Sequence, residues 1–192
     1  MGALAVVLMG LLLGVFAWSF AEYALHNWVG HLGKGKNHFS REHLQHHAKG
    51  DYFAPAVQKA LAAIVTASLV LPLAALSVGW LGGASFTVGL VGMYLVYERL
   101  HYRSHFAPPR TAYGRWVRKN HFAHHFTAPK KNHGVTSPLW DYVFGTHQAE
   151  DVVRVPEKLA LVWLVDPETG DAREEFGADY RITRTRRSRQ ST

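Results

Sequence analysis

Three long apolar stretches dominate the pattern of hydrophobic and polar positions along the chain. Residues 1–25 contain one charged side chain, Glu22; residues 55–80 contain only Lys59; and residues 81–97 contain none. A run of about 18 or more apolar residues is long enough for a transmembrane helix. The pattern therefore predicts an all-α integral membrane protein with about three transmembrane helices, or two and a tight helical hairpin.

A cleaved signal peptide is the alternative interpretation of the first apolar stretch. No Lys or Arg precedes the apolar run, and His26 and His31 follow directly from its end. We therefore favour a retained membrane helix.

Basic residues are concentrated at one end of the predicted helices. The turn around residues 77–83 carries no charge, whereas the loop at residues 34–49 and the region after Arg99 hold nearly all the Lys and Arg. Cytoplasmic loops of membrane proteins are enriched in these residues. We therefore predict that this loop and the C-terminal region face the cytoplasm, together with all 13 histidines.

Ten of the histidines form four groups beside the apolar stretches. They are His26-x4-His31, His43-x2-His46-His47, His101-x3-His105 and His121-x2-His124-His125. Neutral imidazole is the commonest side-chain ligand of transition metals. Ten ligands exceed the coordination positions of one ion, so the pattern predicts a site for two metals.

Helical spacing predicts how these groups are presented. Residues i, i+3 and i+4 share one face of an α-helix, so each triple is expected to converge on one point. His26 and His31 are five residues apart, which does not fit one face of a straight helix. We therefore expect the helix to end or bend at Gly30, with His31 in a loop.

Further side chains are candidates for supporting roles. Metal-bound imidazoles usually donate their other N–H group to a carboxylate or a carbonyl. Glu98, one turn before His101, and Asp141 are the predicted carboxylate partners. The remaining histidines, His38 and His133 and His147, are expected at surface or structural positions.

Composition excludes several other classes of site. The chain has no cysteine, which excludes disulfides, thiolate-bound zinc and iron–sulfur clusters. It offers one Glu-x-x-His pair, Glu98 to His101, where a carboxylate-bridged di-iron bundle needs two. The net charge of +7 and pI near 9.8 are explained by basic cytoplasmic loops, so we expect no nucleic-acid partner.

The order and spacing of the four groups resemble the fatty acid hydroxylase/sterol desaturase superfamily of integral membrane non-haem di-iron oxygenases. Residues 132–146 also resemble that family's segment after its final histidine box, and the likeness spans about residues 22–146. The resemblance implies that the metal ligands are His26, His31, His43, His46, His47, His101, His105, His121, His124 and His125.

The resemblance also implies a reaction. Two iron ions with O2 as co-substrate would hydroxylate a membrane lipid, foremost an acyl chain, and zinc can replace iron in a purified sample. No His-Pro-Gly-Gly haem motif is present, so we expect an external electron donor of the ferredoxin or cytochrome b5 type with its reductase. Its expected docking surface is formed by Lys34, Lys36, Arg115, Arg118, Lys119, Lys130 and Lys131.

Other interpretations stay open at this level. The same chemistry serves β-carotene-type carotenoid hydroxylases and sterol or lipid desaturases. A membrane metal-binding protein without oxygenase activity, or an inactive relative, would carry the same histidines. For domains, we predict a membrane-embedded hydroxylase-like domain at residues 1–150. Residues 151–192 are predicted to be a cytoplasmic C-terminal tail with a disordered basic end.

Overall fold

A computed structural model describes residues 2–184, and this part of the chain is mostly helical. Its α-helices are α1 (Ala3–Ala24), α2 (His38–Ala48), α3 (Ala56–Phe106), α4 (Ala112–Phe122) and α5 (Leu139–Val143). Two π-helical segments, Leu25–His31 and Ala123–Thr127, extend α1 and α4 directly. Asn37 and Thr111 cap α2 and α4, because each side chain accepts a hydrogen bond from a backbone N–H in the first turn.

Two helical segments, Ala3–His31 and Ala56–Phe106, are long and apolar enough to cross a membrane. Their large hydrophobic side chains point outwards, and Leu12 and Leu76 expose 70% and 85% of their surface. Exposing such apolar side chains to water is unfavourable, whereas contact with lipid tails is not. Together, the two segments indicate an integral membrane protein.

The helix α3 doubles back on itself at Gly79. There φ is 80° and ψ is 163°, a conformation that is not helical and that glycine adopts most readily. Lys59 near the start of α3 consequently pairs with Glu98 near its end, with Nζ and Oε2 2.5 Å apart. The limbs on either side of Gly79 therefore form an antiparallel helical hairpin.

Small residues bring α1 close to the second limb of α3. A Cβ atom on Gly14 would overlap the carbonyl oxygen of Phe86, and one on Gly89 would overlap the carbonyl oxygen of Leu11. Contacts this close let two backbones pack directly, which is how helices associate in lipid.

The prediction of an all-α fold needs one correction after residue 150. Two short strands, β1 (Val153–Pro156) and β2 (Tyr180–Thr183), pair in parallel, with Val153 opposite Tyr180. Alternate side chains of each strand are buried, in the two-residue period of a half-buried strand. The 3-10 turns Glu157–Leu159 and Glu174–Phe176 lie between the strands.

The strands close a small hydrophobic core against α4 and its π-helical extension. That core consists of Phe122, Ala123, Val153, Val155, Leu161, Trp163, Leu164, Phe176, Tyr180 and Ile182. Trp163 also donates its indole N–H to the carbonyl oxygen of Ser104 at 3.1 Å, which links the core to the end of α3. Residues 151–184 are thus folded, whereas the basic end predicted to be disordered lies mostly outside the described residues.

Candidate metal centre

The structure gathers all ten predicted histidines into two groups of five. Within each group, one nitrogen of every ring lies within 4.8 Å of the others. Cluster A consists of His26, His31, His43, His47 and His124, and cluster B consists of His46, His101, His105, His121 and His125. Neither cluster contains a carboxylate among the described residues.

The expectation that each histidine triple converges on one point is wrong. His43 and His47, four residues apart on α2, both join cluster A, whereas His46 joins cluster B. Likewise His121 and His125 join cluster B, and His124 between them joins cluster A. Neighbouring residues on a helix point about 100° apart, so adjacent histidines serve different clusters. Cluster A thus consists of histidines from the N-terminal half of the chain together with His124, and cluster B of histidines from the C-terminal half together with His46.

The prediction that the first helix ends at Gly30 and leaves His31 in a loop is wrong for His31, because the helical segment ends one residue later, at His31. The segment Leu25–His31 continues α1 as a π-helix, with the Leu32 N–H bonded to the Asn27 carbonyl oxygen at 2.9 Å. Hydrogen bonds between residues i and i+5 widen the helix, so His26 and His31 return to the same face. A π-helical segment also carries His124 and His125.

Backbone carbonyls fix two rings of cluster A. His26 Nδ1 lies 2.5 Å from the carbonyl oxygen of His133, and His124 Nδ1 lies 2.6 Å from that of Lys131. A carbonyl oxygen only accepts, so each Nδ1 must carry the proton and donate it. The Nε2 atoms of both rings are therefore unprotonated and present lone pairs to the centre of the cluster.

These lone pairs face each other across hydrogen-bonding distance. The Nε2 atoms of His26 and His124 are 2.9 Å apart, with no proton between them, and those of His31 and His47 lie 3.0 and 3.2 Å from His124 Nε2. Nitrogens bound to one ion at about 2.1 Å are about 3.0 Å apart when they subtend a right angle. The donor set of cluster A therefore fits a metal cation.

Cluster B has the same character. The Nε2 atoms of His46 and His101 are 2.9 Å apart, as are those of His105 and His121. Both ring nitrogens of His125 are buried and have no hydrogen-bond partner among residues 2–184. A buried imidazole without partners is costly unless a ligand occupies it, so this cluster also fits a cation.

Burial keeps these imidazoles neutral, which is the form that binds metals. It lowers the pKa of His46 to about 4, although the Tyr52 carbonyl oxygen accepts a hydrogen bond from Nδ1 at 2.7 Å. Burial, reinforced by neighbouring imidazoles, also holds the pKa of His43 and His121 well below the ordinary value. No proton has to leave these rings near neutral pH before a metal binds.

Two buried carboxylates hold the loop that supplies the carbonyl partners of cluster A. Asp141 accepts hydrogen bonds from the backbone N–H groups of His133 and Gly134 at 2.8 and 2.7 Å. Glu22 accepts from the N–H groups of the next two residues at 2.5 and 2.8 Å. The predicted supporting role of Asp141 thus takes an indirect form, since its carboxylate orders the loop rather than touching a ring.

Other predicted positions are used differently. Glu98 pairs with Lys59, so its carboxylate does not serve His101. His133, expected outside the site, is buried with its ring centre 5.1 Å from that of His124. The role of Glu22 was not predicted, although a lone carboxylate within an apolar stretch is a usable signal.

The two other outlying histidines lie apart from the clusters. His38 meets the side-chain oxygen of Gln58 at 3.1 Å, and the His147 ring packs on Tyr142 with centres 4.1 Å apart.

Several residues of the predicted basic docking surface form ion pairs or hydrogen bonds within the chain. Arg115 and Lys119 both pair with Asp179, at 2.5 and 2.9 Å. The guanidinium of Arg118 is buried and donates to three backbone carbonyls, including those of residues 103 and 107. Arg115 and Lys119 tie α4 to the C-terminal core, and Asp179 offsets part of their charge although their side chains stay 43% and 29% exposed. Arg118 ties α4 to the end of α3 and is buried, so it is not offered to a partner.

A mainly apolar cavity of about 390 Å³ leads to both clusters. His26 and His43 of cluster A and His46 and His101 of cluster B form part of its wall. Its remaining lining residues are Trp18, Glu22, Leu25, His38, Phe39, Glu42, Phe53, Ala54, Gln58, Lys59, Ala62, Ala63, Thr66, Leu90, Val91, Tyr94, Tyr97 and Glu98. The arrangement can place an apolar chain between the membrane helices and against the histidines.

The chain is similar to proteins of a known family. Residues 11–146 match the family model described as fatty acid hydroxylase. A dihydroceramide fatty acyl 2-hydroxylase of Arabidopsis thaliana is 34% identical over 140 residues, which are 70% of this chain and 58% of the relative. A fatty acid 2-hydroxylase of Macaca fascicularis is 32% identical over 143 residues, which are 70% of this chain and 38% of the relative.

A solved structure has the same fold. It is described as full-length scs7p with only the hydroxylase domain visible, and it matches with a TM-score of 0.60 at 25% identity. The match covers 78% of this chain and 58% of that one. Across these comparisons, the chain spans between 38% and 58% of the length of the proteins it resembles.

Proposed function

The chain belongs to the fatty acid hydroxylase family, and from that membership we propose that it is a membrane oxygenase that hydroxylates the acyl chain of a lipid. The observation that carries the proposal is the meeting of two unprotonated nitrogens, on His26 and His124, 2.9 Å apart beside an apolar cavity. A cation accounts for these nitrogens, and a lipid chain accounts for the cavity.

We assign one iron ion to each cluster, held by the ten histidines. Nitrogen ligands without thiolate suit iron and also accept zinc. When bound, iron would supply the activation of O2 and the removal of hydrogen from the substrate carbon. The overall reaction converts C–H, O2, two electrons and two protons into C–OH and water. The two electrons come from a donor of the ferredoxin or cytochrome b5 type.

The residues of the chain itself hold and orient the reactants. The loop carbonyls of Lys131 and His133 fix the rings of His124 and His26, so both present Nε2 to the metal. Leu90 and Val91 lie three helical turns from His101 along α3, about 15 Å away by helical rise. An acyl chain lying along this wall excludes water from the reacting carbon.

The names of the relatives support a position of oxidation. Two of them are named 2-hydroxylases of fatty acids or fatty acyl groups. We propose that this chain also acts at C2, the carbon next to the carbonyl. That carbon must then lie at the histidines, with the polar end of the lipid close by.

The proposal also includes the placement of the protein in the membrane. We propose three crossings, by α1 and by the two limbs of α3, with the clusters on the cytoplasmic side. The supporting observation is the antiparallel hairpin, whose turn at Gly79 lies in an uncharged stretch while the histidine end is basic.

Turnover with isotopic oxygen tests this function. The protein, purified in lipid nanodiscs and loaded with Fe(II), is supplied with ferredoxin, reductase, NADPH and N-acyl, ester and free-acid lipids under ¹⁸O2. We expect a hydroxylated acyl chain carrying ¹⁸O, formed only when donor and O2 are both present. Product lighter by two hydrogens would indicate a desaturase. Full metal loading without any O2-dependent product would indicate a metal-binding protein.

A further inference from the structure

An ion pair lies in the wall of the mainly apolar cavity, whose other carboxylates, Glu22 and Glu42, accept hydrogen bonds from Thr136 and Tyr52. Lys59 and Glu98 are 2.5 Å apart, and each side chain keeps about a quarter of its surface exposed, 24% and 23%. Lys59 is the only charged residue between positions 52 and 97. Ionisable side chains that pair with each other and face a cavity between membrane helices often mark a substrate pathway, so this pair is a candidate for contact with the substrate.

The pair lies close to the reacting centre. The Lys59 ammonium sits 4.9 Å from the centre of the Phe53 ring. That ring in turn packs against His46 and His101, with centres 4.6 and 5.1 Å apart. Glu98 precedes His101 by one helical turn. One aromatic ring thus separates the cation from cluster B, and both charges reach the part of the cavity beside the histidines.

Hydroxylation at C2 constrains what this part of the cavity must bind. The carbonyl carbon of the substrate is bonded directly to C2, so the polar end of the lipid lies within a few bonds of the oxidised carbon. An amide offers a carbonyl oxygen that accepts and an N–H that donates. Lys59 is a donor and Glu98 an acceptor, which matches both groups of an amide.

We propose that the Lys59–Glu98 pair binds the polar end of the substrate and selects an acyl chain carried as an amide. This inference rests on the proposed hydroxylase function and deepens it. A free carboxylate would attract Lys59 but would be repelled by Glu98 and would offer it no N–H, and an ester would satisfy Lys59 alone. The expected order of preference is therefore amide, then ester, then free acid.

The pair also joins the two limbs of α3, so a structural role must be separated from substrate binding. The position of the hydroxyl group in the product distinguishes the two roles. If the pair binds the polar end of the substrate, its loss lets the acyl chain shift relative to the metals, and other carbons become oxidised. A merely structural pair would lower the amount of folded enzyme and leave the position of oxidation at C2.

The experiment compares Lys59→Met, Lys59→Arg and the exchange variant Lys59→Glu/Glu98→Lys with the wild type in nanodiscs. The exchange restores an ion pair between the limbs but reverses donor and acceptor. Loss of one hydrogen bond to a charged group should lower kcat/KM for the amide roughly 10- to 100-fold in Lys59→Met. We expect product at C3 beside C2 in Lys59→Met and in the exchange variant, and recovery in Lys59→Arg. Lys158→Met, a change of an exposed lysine outside this cavity, should match the wild type.

A binding measurement keeps the inference separate from the hydroxylase proposal. The zinc-loaded protein should bind an N-acyl amide more tightly than the matching free acid, and Lys59→Met should remove that difference. Absence of turnover with every lipid would overturn the proposed function, while the binding preference would still report on Lys59. Unchanged preference and unchanged C2 oxidation in folded Lys59→Met, or full recovery in the exchange variant, would overturn this inference.

Discussion

Single side chains decide which of the two clusters a histidine joins. His46 and His47 are neighbours in sequence, yet the helix directs one to cluster B and the other to cluster A. The same holds for His124 and His125. His46 and His124 are thus the ligands exchanged between the halves of the chain, and each should matter mainly to one metal.

Replacing an exchanged histidine should remove one metal. We expect His46→Ala or His124→Ala to lower the metal content from about two ions to about one per chain. Even the loss of an outer partner of a ligand costs roughly 10- to 100-fold in affinity or activity, so activity should fall by at least that factor. Elemental analysis of the purified variants measures this, with His147→Ala as control. Full occupancy in His124→Ala would contradict the assignment.

Asp141 should influence metal binding without touching a metal. In Asp141→Asn, the amide keeps one acceptor oxygen, so one of the bonds to the His133 or Gly134 N–H is lost inside the protein. An unsatisfied buried N–H costs about 1–3 kcal/mol. We expect a lower melting temperature together with weaker binding at cluster A, measured by metal titration. Asp151→Asn, at an exposed position, is the control. Unchanged affinity in a destabilised Asp141→Asn would refute the link.

The sequence was informative about residue types but not about their partners. Histidine spacing identified the ten rings that converge, because imidazole groups next to apolar stretches are distinctive. The position of Glu22 in an apolar stretch marks it as unusual, but its partner could not be predicted, since the carboxylate meets a loop 113 residues further along the chain. The exchange of His46 and His124 depends on how four elements cross in space, which spacing within one helix does not determine.

Helix packing in this chain depends on glycines with opposite roles. Gly14 and Gly89 lie where two backbones meet, whereas Gly92, one turn after Gly89, has open space around the position of a Cβ atom. The same substitution should therefore have opposite effects at neighbouring sites of one helix.

Gly→Ala substitutions test this packing. Gly14→Ala and Gly89→Ala should push α1 away from α3 and destabilise the protein by about 1–3 kcal/mol. Gly92→Ala should instead stabilise it by about 0.5–1 kcal/mol, because alanine favours the helix. Thermal unfolding in detergent, followed by size-exclusion chromatography, gives the order. Equal destabilisation by all three changes would show that the close approach is not limiting.

The π-helical segment Leu25–His31 explains why the sequence predicted His31 in a loop. In an α-helix, the five-residue spacing of His26 and His31 places the two side chains on different faces. A local widening to i+5 hydrogen bonds is set by contacts around the site, and Gly30 leaves room there for the His43 ring. Spacing alone does not distinguish a broken α-helix from a π-helix.

At the scale of the whole molecule, the absence of cysteine offers a clean test of membrane topology. Val78 lies beside the turn at Gly79 and is 65% exposed. In intact cells, a membrane-impermeant maleimide should label Val78→Cys but not Lys49→Cys, which lies at the end of α2. The reverse labelling would place the histidines on the outer side.

Electron delivery concerns the whole surface around the clusters. Arg118 is buried and Asp179 offsets part of the charge of Arg115 and Lys119, so the predicted docking surface depends mainly on its lysines near the clusters. We expect Lys34→Glu/Lys36→Glu to raise the KM for an acidic donor several-fold at low salt, with the difference shrinking towards about 0.5 M salt. Lys158→Glu is the control. A KM independent of both the substitutions and ionic strength would exclude docking at this face.

The overall architecture was predictable where the pattern was long. Apolar stretches of about 18 residues predicted the membrane helices, because few other structures bury so much apolar surface. The strands β1 and β2 have four residues each. An alternation of apolar and polar residues this short does not predict a strand within a basic C-terminal region. Their existence depends on the core shared with Phe122, which is a tertiary contact.

The exchange of one histidine between the halves also bears on how the protein is made in the cell. Synthesis proceeds from the N-terminus, so four ligands of cluster A exist before the hairpin is complete, but the fifth, His124, emerges near the end. Cluster B likewise waits for His121 and His125 although His46 was made early. A nascent chain that has inserted its hairpin but stops at residue 120 should therefore retain no tightly bound metal, which ribosome-arrested chains can show. Metal binding is then a late step of biogenesis, because it requires that the two halves of the chain have already packed together.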